Sequence, residues 1–177
     1  MNTLIKSALA AAITGVVALG STGALANDKN WTPPSHKIYG QQLSDETMAK
    51  HPELLSITLH GTPPGMQENY TMFAGSYPDR VGNADDPDDI DVIKKGITIV
   101  DPRWHRTKDD PKKVVILMPM RDSAGDNIAL VVYAFKNPPA NPNTSAHELD
   151  YLKKATVLRD DLQKKIPSYN GLFEPVK

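Results

Sequence analysis

Two runs in the second half of the chain carry the strongest strand signal. Lys113–Met120 and Asn127–Phe135 are almost continuously apolar. The polar stretch Asp122-Ser123-Ala124-Gly125-Asp126 between them places a glycine where a hairpin needs a left-handed residue. Runs this apolar belong in the middle of an antiparallel sheet covered on both faces. Tyr70–Ser76 alternates as a third strand, and Ile97–Val100 and Trp104–Thr107 are short strand candidates. Asp86-Pro87-Asp88-Asp89 opens a short helix over 87–95: Asp at the N-cap, Pro at the first position, acids in the first turn. Lys94 and Lys95 close it, Gly96 lies just beyond, and Ile90 and Ile93 form its inner face.

Helical spacing dominates the C-terminal part. Leu149, Leu152, Ala155, Leu158, Leu162 and Ile166 recur at steps of three and four, behind a capping box at Ser145–Glu148. Asp150–Lys154, Asp160–Lys164 and Asp161–Lys165 are spaced as exposed ion pairs, and Pro167 ends the helix. The tail over 167–177 carries Leu172 and Phe173, which can dock on the domain. Before the first strand, Ser44–Thr47 caps a helix running through Met48, Leu54 and Leu55 towards Leu59, with Pro52 able to break it into two turns. Residues 27–43 form an extended lead-in, and residues 44–166 a single domain. The Gly61-Thr62-Pro63-Pro64-Gly65 run is a breaker.

The N-terminus divides as an export signal does. A polar start with Lys6 is followed by the apolar Ser7–Ala18, and Ala24-Leu25-Ala26 is an A-x-A cleavage site. Residues 1–26 are therefore expected to be a cleavable signal peptide, with the product in the periplasm, or secreted from a cell with one membrane. No other segment is long enough to span a bilayer, and no membrane anchor is expected. The chain has no cysteine, which excludes disulfides, thiolate-zinc sites and cysteine nucleophiles. A net charge of -1 argues against nucleic acid as a partner.

Candidate chemistry is sparse. The five histidines, His36, His51, His60, His105 and His147, lack the spacing of a helical zinc motif. His60 stands out because it precedes the rigid proline turn. A cavity holding it near both a carboxylate and a hydroxyl would favour a small hydrolase. The acids of Asp85–Asp91 are accounted for by helix capping, since the run lacks a calcium-loop pattern. Met66, Met72, Met118 and Met120 raise copper or haem as a minor alternative. No cofactor and no metal ligand is assigned. A small-molecule pocket is expected from strand-end residues that combine apolar, aromatic and cationic groups: Arg80, Arg103 with Trp104, and Met118, Met120 and Asp122.

Several segments together resemble exported PAS-like domains of the Cache type. They are Leu59–Met66, Ala74–Ser76 leading to Arg80–Gly82, Asp85–Gly96, Met118–Phe135 and the closing helix with Arg159-Asp160-Asp161-Leu162. The resemblance spans roughly residues 48–166. It implies an α/β fold of the PAS/Cache (profilin-like) kind, with a central antiparallel sheet flanked by helices and a long C-terminal amphipathic helix. It also implies a metabolite pocket built from the segments at Tyr70–Arg80, Arg103–His105 and Met118–Asp122. The expected ligand-binding set is thus His60, Tyr70, Met72, Ser76, Arg80, Arg103, Trp104, Met118, Met120 and Asp122. A Cache receptor has transmembrane and output segments that this chain lacks, so a sensor-accessory domain without catalysis is expected. Its candidate partners are a small metabolite, a membrane receptor and a second copy of the chain. The alternative is a structural or interaction domain with no occupied pocket.

Overall fold

The computed structural model describes residues 28–103, 113–136 and 145–176. The expected signal peptide, the strand at 104–107 and the proline linker at 137–144 lie outside these residues. In chain order the elements are α1 (Tyr39–Lys50), β1 (Leu54–Gly61), β2 (Thr71–Gly75), α2 (Pro87–Lys95), β3 (Ile99–Pro102), β4 (Lys113–Arg121), β5 (Asn127–Lys136) and α3 (Ser145–Gln163). The strands form one open sheet in the order β2-β1-β5-β4-β3, with every neighbouring pair antiparallel. This is the generic PAS-like plan of a central antiparallel sheet flanked by helices.

The two most apolar runs take the interior places, as their composition requires. β4 and β5 pair from Lys113↔Lys136 to Arg121↔Asn127. Their turn is held by the Asp122 carboxylate, whose Oδ1 accepts from the Ala124 and Asp126 backbone N–H groups, with Gly125 at φ +97°. Alternation then divides the core. Val114, Ile116, Met118 and Met120 of β4, with Val131, Tyr133 and Phe135 of β5, face one main cluster that includes residues of α1, α3 and the tail. Val115 and Leu117, with Leu130 and Ala134, face a smaller cluster under α2, whose Val92 is fully buried. Burying each large aliphatic side chain contributes about 1.5–3 kcal/mol. The tail does dock: Leu172 is fully buried, and a short 3-10 turn spans Asn170–Phe173.

Several local expectations are corrected. Residues 54–59 are strand, not helix, and α1 starts six residues earlier than the Ser44 cap implied, so Tyr39–Leu43 is not extended. Pro52 ends the helix, and beyond it Leu54–Gly61 finds two ladder partners, which outweighs any continued turn. Ser44 lies inside α1, where its hydroxyl donates to the Gly40 carbonyl. In α2 the fully buried residue is Val92; Ile93 packs half-buried against the same cluster as expected, and Ile90 is half-buried. In α3 the buried stripe is Tyr151, Ala155, Leu158 and Leu162, continuing to Ile166 past the helix end, while Leu149 is 50% exposed. Its ion pairs also differ from the expected set: Lys164 and Lys153 reach back three residues to Asp161 and Asp150, and Lys165 crosses to Glu46 of α1. The capping box at Ser145 involves side chains outside the described set.

The loop from β2 to α2 is tied down at Gly82. Its carbonyl accepts from the Asn30 and Trp31 backbone N–H groups, and its own N–H donates to Met72. Gly82 has φ +91°, and a Cβ there would run into the Trp31 carbonyl oxygen. This clamp holds the segment over 82–86 against β2, with a bridge between Thr71 and Ala84.

Candidate functional site

Ser56, Thr58 and His60 occupy alternate positions of β1, so all three point to the α2 side of the sheet, opposite the Ile57 and Leu59 side chains of the main core. Across from them the clamped loop delivers Asp85, whose N–H donates to the Tyr70 carbonyl. One residue on, Asp86 caps α2 in a capping box with Asp89. The spacing that closes the box also turns Asp89 towards His60.

The result is a buried polar chain. His60 Nδ1 lies 2.7 Å from Asp85 Oδ1 and 3.7 Å from Asp89 Oδ2, and Nε2 lies 2.7 Å from Thr58 Oγ1. A neutral imidazole donates from Nδ1 to Asp85 and accepts from the Thr58 hydroxyl; a charged one donates to both. The side chain of Asp85 is 0% exposed and that of Asp89 13%. Among the described residues Asp85 Oδ2 is buried without a hydrogen-bond partner.

Burial sets the electrostatics. It raises Asp89 to about 6, with the charges of Asp85 and Asp88 adding to the effect and that of His60 opposing it. It raises Asp85 too, against the bond and charge of His60. Burial alone would lower His60, but the hydrogen bond and charge of Asp85, with Asp89 and Asp86, more than reverse it. All three groups are pushed towards holding a proton.

These residues border a cavity of about 320 Å³ between the sheet and the start of α2. Val115, Leu117, Val132 and Ala134 supply its apolar floor, and Arg80, Arg103 and Lys113 bring positive charge to its lining. Of the ten residues expected to bind a ligand, His60, Met72, Arg80 and Arg103 line this cavity. Arg103 is held by Asp101 at 2.7 Å, and the Arg80 guanidinium lies 5.5 Å from the centre of the Tyr77 ring.

The others have different work. Met118 and Met120 are 1% and 0% exposed in the main core. Their shared face is the α3 side of the sheet, which corrects their expected place in the pocket. Asp122 holds the hairpin turn, and Ser76 both donates to and accepts from the Ile57 backbone, pinning β1 to the end of β2. Tyr70 lies beneath the Lys94 ammonium, 5.0 Å from the ring centre. Trp104 lies outside the described residues.

The residues that sequence reasoning missed are Ser56, Thr58, Asp85 and Asp89. Ser56-Ile57-Thr58-Leu59-His60 has period-two polarity, the signal of a strand with one polar face. It was hidden by assigning the segment to a helix. Asp89 was read only as a cap, but it serves the cap and the cavity together.

The chain Asp85–His60–Thr58 meets the geometric condition for the hydrolase alternative: a hydroxyl and a carboxylate on opposite sides of one imidazole. Thr58, however, stands inside β1, paired to Gly75 on one side and Val132 on the other. A nucleophile of this kind is normally lifted on a sharp turn beside free backbone N–H donors that stabilise the oxyanion. With no cysteine in the chain and Thr58 locked in the ladder, the described residues do not assemble a clear active site.

No family model matches the chain, and no curated protein matches it. Among solved structures it is similar to the repressor BlcR of Agobacterium tumefaciens, at 10% identity and a TM-score of 0.46, over 73% of this chain and 67% of that one. It is also similar to a GAF domain/HD domain protein from Geobacter sulfurreducens, at 16% identity and a TM-score of 0.38, over 69% and 90%. Neither is named as a Cache domain. The Cache-type assignment and the exported location read from residues 1–26 are withdrawn, and what stands is the α/β architecture of the structure itself. Among the described residues no helix is long and apolar enough to cross a membrane.

Proposed function

We propose that this chain is a non-catalytic binding domain that takes a small polar ligand in the cavity between the sheet and the N-terminus of α2. The observation that carries this is Asp85, a residue of the cavity lining whose side chain is 0% exposed, with one oxygen on His60 and the other without a hydrogen-bond partner among the described residues. A buried acceptor without a donor costs about 1–3 kcal/mol, which a ligand donor would recover. Arg80 and Arg103 in the same lining suit a ligand that also carries an acid group.

The test is a thermal-shift panel of small zwitterionic and amine-bearing metabolites in the presence of a chelator, followed by calorimetric titration of any hit. One saturable ligand per chain is expected. Arg103→Ala should weaken it about tenfold or more, the equivalent of one charge-assisted hydrogen bond, with little change in melting temperature. Unchanged affinity would remove Arg103 from the site. Absence of any saturable ligand would remove the reading.

A second reading, an interaction domain, is favoured by Leu149 and Val157 of α3, which are 50% and 60% exposed. They sit about 12 Å apart along the helix. Self-association through this face predicts a concentration-dependent mass in light scattering that Leu149→Ser with Val157→Ser abolishes. A monomer at every concentration would set the homodimer aside.

A further inference from the structure

We infer that His60, Asp85 and Asp89 form a site for one divalent cation of the zinc class. This rests on the cavity being the ligand site, and it names the first ligand that site holds. The three residues can each offer a donor atom, and these atoms lie within 4.8 Å of one another. One imidazole and two carboxylates make the nitrogen–oxygen donor set that zinc accepts with three protein ligands and a fourth position left open.

The orphaned oxygen of Asp85 is the independent pointer. A carboxylate with a 0% exposed side chain has lost its hydration, and within the described residues nothing pairs with its Oδ2. A dication placed among His60 Nδ1, Asp85 and Asp89 would neutralise both carboxylates. The second nitrogen of His60 is already in the arrangement a metal-bound histidine uses. Its Nε2 lies 2.7 Å from the Thr58 hydroxyl, which can turn to accept Nε2–H once the ion takes the Nδ1 lone pair in place of the proton shared with Asp85. Thr58, held in the ladder, thus holds the ring in place in either protonation state.

The two distances from His60 require small adjustments only. Tetrahedral zinc separates two ligand atoms by about 3.3 Å. The contact of 2.7 Å between His60 and Asp85 must therefore open, and that of 3.7 Å between His60 and Asp89 must close. Both are motions of a few tenths of an ångström. Calcium would need six to eight oxygens and copper(I) would need sulfur, so neither suits this set. The open position would be filled from the cavity, by water or by an acidic group that Arg80 or Arg103 also reaches.

A second acid triple, Asp86, Asp88 and Asp89, lies at the start of α2, but Asp86 and Asp88 are exposed and the triple has no imidazole. Asp89 belongs to both, so the neighbouring acids discriminate between them. Asp88 is the same charge on the same turn, without contact to His60.

The experiment is competition for Zn²⁺ alone against a chromophoric chelator, using the whole chain freed of metal. Wild-type protein is expected to take one Zn²⁺ per chain. Asp89→Asn and Asp85→Asn should each weaken uptake at least about tenfold, by loss of a directly bound carboxylate. Asp88→Asn should leave it within about threefold, a loss of screened surface charge only. Matching circular dichroism and cooperative melts confirm that each variant is folded. Should Asp85→Asn unfold, Asp89→Asn and Asp88→Asn still decide the matter. No stoichiometric uptake, uptake indifferent to Asp89→Asn, or equal losses in Asp88→Asn and Asp89→Asn would each overturn the site. The metabolite panel run with chelator is the separate arm: a ligand there without zinc uptake ends this inference and keeps the binding reading, while failure of both ends both.

Discussion

Metal-free protein is expected to lose stability as pH rises from about 4 to beyond 6, and Asp89→Asn is expected to remove the part of that loss that Asp89 contributes. The sign follows from the direction of the shift. The Asp89 carboxyl lies near 3.8 when exposed and at about 6 in the folded chain, so the folded state holds the proton more tightly. Stability contributed by that proton is full below 3.8, declines through the window, and is gone above about 6. A displacement of this size is worth about 3 kcal/mol. His60 and Asp85 are also raised, and a raised imidazole likewise loses its contribution as pH climbs past 6.5, so the three slopes add. The groups working the other way, Glu46 and Asp161, are exposed carboxylates lowered by hydrogen bonds to Gln42 and Lys165 and to Lys164, where solvent screens them.

Urea unfolding at pH 4.5 and pH 7.5 in chelator checks this. Asparagine keeps an oxygen for the weak 3.3 Å bond from the Asp86 N–H but cannot ionise. The variant should match wild type at the lower pH and exceed it by about 2–3 kcal/mol at the higher. A wild-type protein that gains stability over this range would contradict the burial of Asp89. With Zn²⁺ saturating the cluster the wild-type slope should reverse, because the ion competes with the same protons.

That prediction could not have been made from the sequence, and the reason is particular. α2 was legible to its ends because its signals are local: Asp86, Pro87 and Gly96 each act within one turn. The β4–β5 hairpin was legible because a long apolar run, a turn glycine and another run admit few other arrangements. Leu54–Gly61 was not, because a short apolar run behind a helix cap fits either period, and only pairing with β2 and β5 decides it. The cavity depended on that same segment. Once β1 is a strand, Ser56, Thr58 and His60 fall on one face, and their polarity becomes a site rather than a helix surface. Asp85 lies 25 residues away and is brought to His60 by the Gly82 clamp, a contact between backbones that no spacing rule encodes. The two methionines failed for the complementary reason. Met118 and Met120 share a face as their spacing requires, but which face meets α3 is a tertiary fact.

The largest loss of stability is expected from Phe73→Ala. Phe73 is 1% exposed on β2, on the side away from the cavity. Its ring packs at 4.7 Å against Phe173 and edge-on at 6.3 Å against Tyr169, so it joins the sheet to the C-terminal tail. On its other side a Cβ built on Gly40 would come within 3.1 Å of its ring, which places α1 against it without room to collapse. Truncation removes the transfer energy of the ring, leaves a void bounded by α1, and deprives Tyr169 and Phe173 of their aromatic partner. A loss of about 3–5 kcal/mol follows, or a fall in melting temperature of about 10 °C. The tail should loosen with it, exposing the chain after Pro167 to limited proteolysis before the sheet unfolds. Met72, the neighbouring residue on the cavity face, is untouched, so Zn²⁺ uptake measured well below the new melting temperature should match wild type. A fall of less than about 2 °C would show that the tail does not rely on Phe73. A tight loss of uptake in folded Phe73→Ala would show that the two faces of the sheet are coupled, and that the tail, far from the cavity in sequence and on the opposite side of β2, takes part in setting its shape.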